Sequence, residues 1–355
     1  MMPIAPTPNP SLARALGDPA LTVPSIQGRS LADQLQRVPQ FRLATNEEGA
    51  FVAIPETSAA ARMLGGDRGA AVTDALAGIA RARDALRPGS PVTTIQLPRT
   101  AAETRLSSAL AKIGSFATSL LAFVDREGSP DPEFITRSLA TVGHQVGTAL
   151  RSRDPIDAAG SITDVAAGTT MMLAPKVTTA LLQARAAGPA GDARIGAKRI
   201  SAAGYVSRII THELLHDTHG FPTNTGPWEE GITETLARWP GRTDIAARAL
   251  GVSSSSQHPW AYEAPTSATR EVLRLAGIDP HRRSDFEAAT ALLRSGAVSR
   301  RPGRIARQIM EHLALPKSEY DGLRTSIRDL MGSPDPAAQA RALGKRLKRA
   351  STDVR

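Results

Sequence analysis

Residues 212–216 read His212-Glu213-Leu214-Leu215-His216, and a short loop later the chain continues Trp228-Glu229-Glu230-Gly231-Ile232-Thr233-Glu234. The first segment has the form H-E-x-x-H. Side chains four apart on an α-helix share a face, so His212 and His216 can aim their imidazoles at one point. A zinc ion at such a point takes about four ligands in a tetrahedron, with one position left to water when the site is catalytic. Glu213 follows the first histidine directly and therefore projects beside that point rather than onto it. There it can take a proton from the activated water and later hand it to a leaving amine. What these five residues lack is a third protein ligand.

The helix needed to carry the pattern is legible. Val206, Ile210 and Leu214 form an apolar row at spacing four, with Ile209 and Leu215 beside it, which leaves His212, Glu213 and His216 for a cleft. Gly220, Pro222 and Gly226 are expected to stop this helix and turn the chain. Pro227 suits the first turn of a second helix, and Trp228, Ile232 and Leu236 give that helix its own apolar row. Glu230 and Glu234 share an adjacent row one turn apart.

This pair of motifs resembles the gluzincin branch of the zincin metallopeptidases, in which H-E-x-x-H precedes a second helix whose glutamate completes a zinc site. Several gluzincins carry that glutamate in an E-E-G-like sequence, which Glu229-Glu230-Gly231 matches. The resemblance therefore implies Zn2+ held by His212, His216 and Glu230, with Glu213 as the general base of peptide hydrolysis. It makes Glu234 an acceptor for a histidine ring nitrogen. The gap between His216 and Glu230 is shorter than in thermolysin-like enzymes, so Glu234 stays open as the alternative ligand. The resemblance further implies a helical lobe after the metal site that forms the far wall of the cleft and supplies a donor to the tetrahedral oxyanion. Tyr262, in His258-Pro259-Trp260-Ala261-Tyr262, is the first choice for that donor and His258 the second. The other reading of this stretch is an aromatic loop that anchors the helical lobe.

Plainer readings exist for each part. Histidines on a helix are often polar surface, Glu229 and Glu230 suit any first helical turn, and Glu234 can pair with Arg238 across one turn. Against these stands the grouping: His212, His216 and His219 are three of only seven histidines in 355 residues. Two rival classes follow from the plainer readings. One is a non-catalytic helical binding or structural protein with a degenerate metal site, marked by the absence of stoichiometric zinc. The other is a basic nucleic-acid-binding protein, marked by binding that weakens steeply with salt.

Composition narrows the field. The net charge is +9, which favours anionic partners. The excess gathers in Arg300, Arg301, Arg304 and Arg307 and in Lys345, Arg346, Lys348 and Arg349. No aromatic residues interleave with these charges, so solubility or weak adhesion to anionic surfaces is the expectation ahead of nucleic acid. The chain has no cysteine, which excludes disulfides, thiolate ligands and a cysteine nucleophile. No phosphate loop, G-x-S-x-G elbow or dinucleotide fingerprint is present.

Along the chain, residues 1–28 are rich in proline and read as disordered, without the order of a Sec signal peptide. The apolar run from Ile113 to Val124 is too short for a membrane span and reads as a buried helix. The protein is thus expected to be cytoplasmic, or exported without a Sec signal, a layout similar to that of protease effectors or toxins. Residues 29–155 read as a mostly helical region: a helix from Ser30, a hairpin of Phe41–Thr45 with Phe51–Ile54, and a helix from Thr57 to Leu86 broken at Gly65-Gly66. A strand from Val92 to Leu97 and helices over Ala101–Val124 and Glu133–Leu150 follow. Residues 156–242 are the expected zincin-like catalytic core, with a strand at Thr169–Leu173 and a helix at Val177–Ala186. Residues 243–335 form a helical lobe and 336–355 a basic helix or tail. The fold class is therefore α+β, predominantly α-helical, with a small β-sheet behind the zincin-like core and a C-terminal helical lobe. The expected partner is a protein or peptide substrate.

Overall fold

The computed structural model describes residues 36–89, 94–109, 132–133, 140, 160–165, 168–197, 199–216, 227–255, 261–295 and 300–353. The expectations for residues 1–28, the helix from Ser30, most of the two helices between Ala101 and Leu150, His219, His258 and the turn at Gly220, Pro222 and Gly226 lie outside them. The architecture is mostly helical with one small mixed sheet.

Strands β1 (Gln40–Thr45) and β2 (Phe51–Pro55) form the expected antiparallel hairpin, closed by Asn46, whose side chain accepts from the Ala50 amide. Thr57 then caps helix α1 (Ser58–Leu64) by accepting from the Ala60 amide, and α2 (Gly69–Leu86) follows the break at Gly65-Gly66. Strand β3 (Thr94–Gln96) is followed by helical residues 101–109, and then by β4 (Gly160–Val165) and β5 (Gly168–Leu173). The five strands pair in the order β2-β1-β3-β5-β4. Only β3 and β5 run parallel, with Ile95 opposite Met171. Strand β4 was not anticipated. It is an edge strand whose alternation breaks at Asp164, a residue type depleted in strands, and it needs a partner on one side only. Helix α3 (Pro175–Ala187) packs behind the sheet, and the two-residue strands β6 (Arg194–Ile195) and β7 (Ile200–Ser201) lead to helix α4 (Ala202–Leu214).

Helices α5 (Pro227–Ala237), α6 (Arg242–Leu250), α7 (Glu263–Leu275), α8 (Phe286–Arg294), α9 (Arg301–Leu313), α10 (Tyr320–Met331) and α11 (Pro336–Asp353) complete the described chain. Single 3-10 turns, Arg283–Asp285 and Lys317–Glu319, lead into α8 and α10.

Burial resolves into two apolar clusters. The first contains Phe41, Leu76, Ile79, Ile95, Met171, Leu181, Val206, Ile210 and Leu214, together with Ala246 and Leu250 of α6. Strands from residues 29–155 and from 156–242 thus share one sheet and one core. Helix α6 joins them through α2, where Gly78 lets the Leu250 backbone approach to a distance a Cβ would contest. The second cluster contains Leu215, Trp228, Ile232, Leu236, Val272, Leu293, Ile309, Leu323, Ile327 and Leu347. Leu214 belongs to one cluster and Leu215 to the other. The H-E-x-x-H segment therefore lies on the seam between the two cores, and this positions everything that follows.

Candidate metal centre

Helix α4 begins where Ser201 accepts a hydrogen bond from the Gly204 amide while its own hydroxyl donates 2.9 Å to Asp192. The expected apolar row is buried, with Val206 and Ile210 at 0% exposure, but His212 (4%) and Glu213 (7%) are buried as well rather than open to a cleft. The helix does not run through the motif. It ends at Leu214, and the His216 amide bonds back to the Glu213 carbonyl at 3.1 Å in a tighter turn. The stop comes before the glycines and proline expected to cause it. The Arg87 guanidinium, at the end of α2, donates to the carbonyls of Leu214 (3.4 Å) and His216 (2.5 Å). A cation there satisfies the last carbonyls and suits the negative end of the helix dipole.

The two histidines still converge. His212 Nε2 and His216 Nε2 are 3.1 Å apart, His212 Nε2 lies 3.1 Å from Glu230 Oε2, and His216 Nε2 lies 3.7 Å from the same oxygen. Three donors at roughly 2.0–2.2 Å from a tetrahedral ion sit about 3.3–3.5 Å from one another, and the observed triangle brackets that edge. The donor set of two imidazoles and one carboxylate also suits zinc. Among the described residues, His212, His216 and Glu230 are the group able to offer three ligand atoms to one cation.

Glu234 lies on the other side of His212. It is fully buried, and its carboxylate takes His212 Nδ1 at 2.8 Å, Arg208 Nη2 at 3.0 Å to each oxygen, and the Ala261 amide at 2.8 Å. An ionised carboxylate can only accept, so His212 Nδ1 carries a proton and its Nε2 faces the ligand point. Glu230 and Glu234 therefore occupy different places: Glu230 shares the point with both histidines, and Glu234 orients one of them.

Charge follows from this packing. Burial pushes His212 down most strongly, but its bonds to Glu230 and Glu234 outweigh that and raise it to about 9. Burial and the neighbouring His212 charge lower His216 to about 3, so it is neutral. Burial raises Glu213 to about 7 against the pull of His212. Burial also opposes ionisation of Glu230 and Glu234, yet hydrogen bonds from His212 hold both below the usual carboxylate range.

Tyr262 is brought to the same place. It caps α7 in the left-handed region at φ 54°, unusual for an aromatic residue. Its ring stacks on His212 with centroids 5.5 Å apart, which brings it within the electrostatic reach of Glu230. Burial and the Glu230 charge push it up to about 12, which keeps it a proton donor. Gly231 makes this approach feasible: a Cβ there would lie 2.5 Å from the Pro265 carbonyl oxygen. The glycine of the E-E-G segment thus serves helix packing.

Sequence reasoning missed several residues around the site. Glu229, the other acid of the first turn of α5, is buried and paired with Arg301 and with Arg294 (3.4 Å). Arg301 was expected to belong to a solvated basic patch, but it is 1% exposed. Thr233 sits 3.3 Å from His216 Nδ1. Arg208, one turn before His212, could have been found from helical spacing. Arg87, 129 residues from His216 in the chain, carried no local signal.

No protein-family model, curated protein or solved structure matches this chain. The residues themselves therefore carry the functional argument.

Proposed function

We propose that this protein is a zinc-dependent peptidase in which His212, His216 and Glu230 hold the ion and Glu213 moves the proton. The observation that carries the reading is the convergence of two Nε2 atoms and one carboxylate oxygen to within 3.7 Å of one another, with Glu213 buried next to His212 in the chain. Bound zinc supplies Lewis-acid chemistry, polarising a carbonyl and making a water more acidic. The side chains do the rest. Glu234 keeps the His212 ring turned toward the ligand point. Glu213, whose burial weakens its hold on the ionised form, accepts a proton from water and returns it to the departing nitrogen. The Tyr262 hydroxyl, protonated and beside Glu230, is placed to donate to an oxygen that gains negative charge.

The test is cleavage of an unfolded protein or peptide library, with and without a chelator, by the wild type and Glu213→Gln. The variant should keep zinc and thermal stability while losing about 10²–10⁴ in rate, the range of general-base contributions. Cleavage by Glu213→Gln at the wild-type rate would overturn the mechanism. Among the described residues no helix is long and apolar enough to cross a membrane, and the reading needs none.

A further inference from the structure

His216 is the ligand that its own helix does not hold. It follows the end of α4 and is half-buried, so its ring direction must be set from outside that helix. Arg87 fixes its carbonyl. The ring itself is met by Thr233 of α5, whose Oγ1 lies 3.3 Å from Nδ1. Thr233 is fully buried and has three polar neighbours. Its hydroxyl donates 2.9 Å to the Glu229 carbonyl, and Arg294 Nη2, at the end of α8, donates to Oγ1. Arginine cannot accept and a carbonyl cannot donate. The shorter contact, 2.9 Å against 3.3 Å, takes the single hydroxyl proton to the Glu229 carbonyl, and the oxygen is left to accept from both sides. His216 Nδ1 must then carry the ring proton, which leaves the Nε2 lone pair facing His212 and Glu230.

We infer that Thr233, oriented by Arg294, is a positioning residue that selects the His216 tautomer able to bind the metal. The inference rests on the zinc reading above but concerns different residues. It also ties the helical lobe to the centre, because Arg294 belongs to α8 and simultaneously holds the Glu229 carboxylate at 3.4 Å. Helix α8 thus reaches His216 through two hydrogen bonds, from Arg294 to Thr233 and between Thr233 and His216.

The test has two readouts on folded protein. The first is zinc affinity, measured by competition with a chromophoric chelator. Thr233→Val should weaken it about 10–100-fold, as is typical when the hydrogen-bond partner of a ligand is removed. Thr233→Ser, which restores the hydroxyl, should stay within about threefold of the wild type. The second is the imidazole nitrogen spectrum of chelator-treated protein, in which His216 should be the Nδ1–H tautomer in the wild type and a mixture in Thr233→Val. A merely structural role for Thr233 would leave the tautomer unchanged. If Thr233→Val does not fold, Arg294→Gln carries the same two measurements, with the same directions expected. Unchanged affinity and tautomer in a folded variant would overturn the inference. A wild type that binds no zinc overturns the metal reading instead, and the tautomer measurement still decides the role of Thr233.

Discussion

The two acids one turn apart on α5 have opposite fates, and the difference is geometric. Glu230 meets both Nε2 atoms, while Glu234 is enclosed by Arg208, His212 Nδ1 and the Ala261 amide. Glu230→Ala is expected to retain the fold and lose zinc, read by elemental analysis beside a melting curve. Glu234→Ala is expected to lose stability first, because it strands the buried Arg208. Removing one partner of a buried pair costs about 3–5 kcal/mol, which chemical denaturation would detect; a variant as stable as the wild type would contradict this role. Tyr262→Phe should keep zinc and lower the turnover number by roughly 10²–10³, the scale of one oxyanion donor. An unchanged turnover number would return Tyr262 to the role of an aromatic anchor. At this scale the sequence was informative wherever chemistry repeats at helical spacing, as with His212, His216, Glu230 and Glu234. It was silent on Arg87, Arg294 and Thr233. Their roles arise from contacts between elements distant in the chain, and arginine and threonine in isolation point to no particular chemistry.

Among the elements, helices with a strong apolar row were legible nearly to their ends, and α4 and α5 bury the rows expected of them. Three features were not. Helix α4 ends early because Arg87 caps its carbonyls from across the fold. Strand β4 lacks clean alternation. The sheet order, in which β3 and β5 pair in parallel, depends on non-local closure that no local pattern encodes. The contact between α5 and α7 gives a direct test of packing. Gly231→Ala places a methyl group against the Pro265 backbone, which cannot yield as a flexible side chain would. A loss of at least about 1–3 kcal/mol is expected from such overpacking, and the peptidase proposal adds slower cleavage as Tyr262 moves off His212. A melting temperature equal to the wild type would show that the two helices do not approach as closely as described.

For the whole molecule, the site is a seam property. The histidine helix is seated in the core that includes the sheet, and the glutamate helix is seated in the helical lobe. Neither core alone supplies all three residues of the candidate metal centre. Part of the basic excess is internal to this seam, since Arg294 and Arg301 converge on Glu229. Helix α11 keeps an exposed basic face at Arg341, Lys345 and Arg346 while burying Ala340, Leu343 and Leu347. Of the two readings for this stretch, a basic helix or a tail, residues Pro336–Asp353 are a helix packed on the lobe. The most direct measurement on the central claim is metal content of the purified protein by elemental analysis, beside a His216→Ala control. The account predicts about one zinc per chain in the wild type and none in the control, because a tetrahedral catalytic site needs all three protein ligands. A wild type without zinc after reconstitution, or a control that retains it, would contradict the claim that His212, His216 and Glu230 form a metal centre.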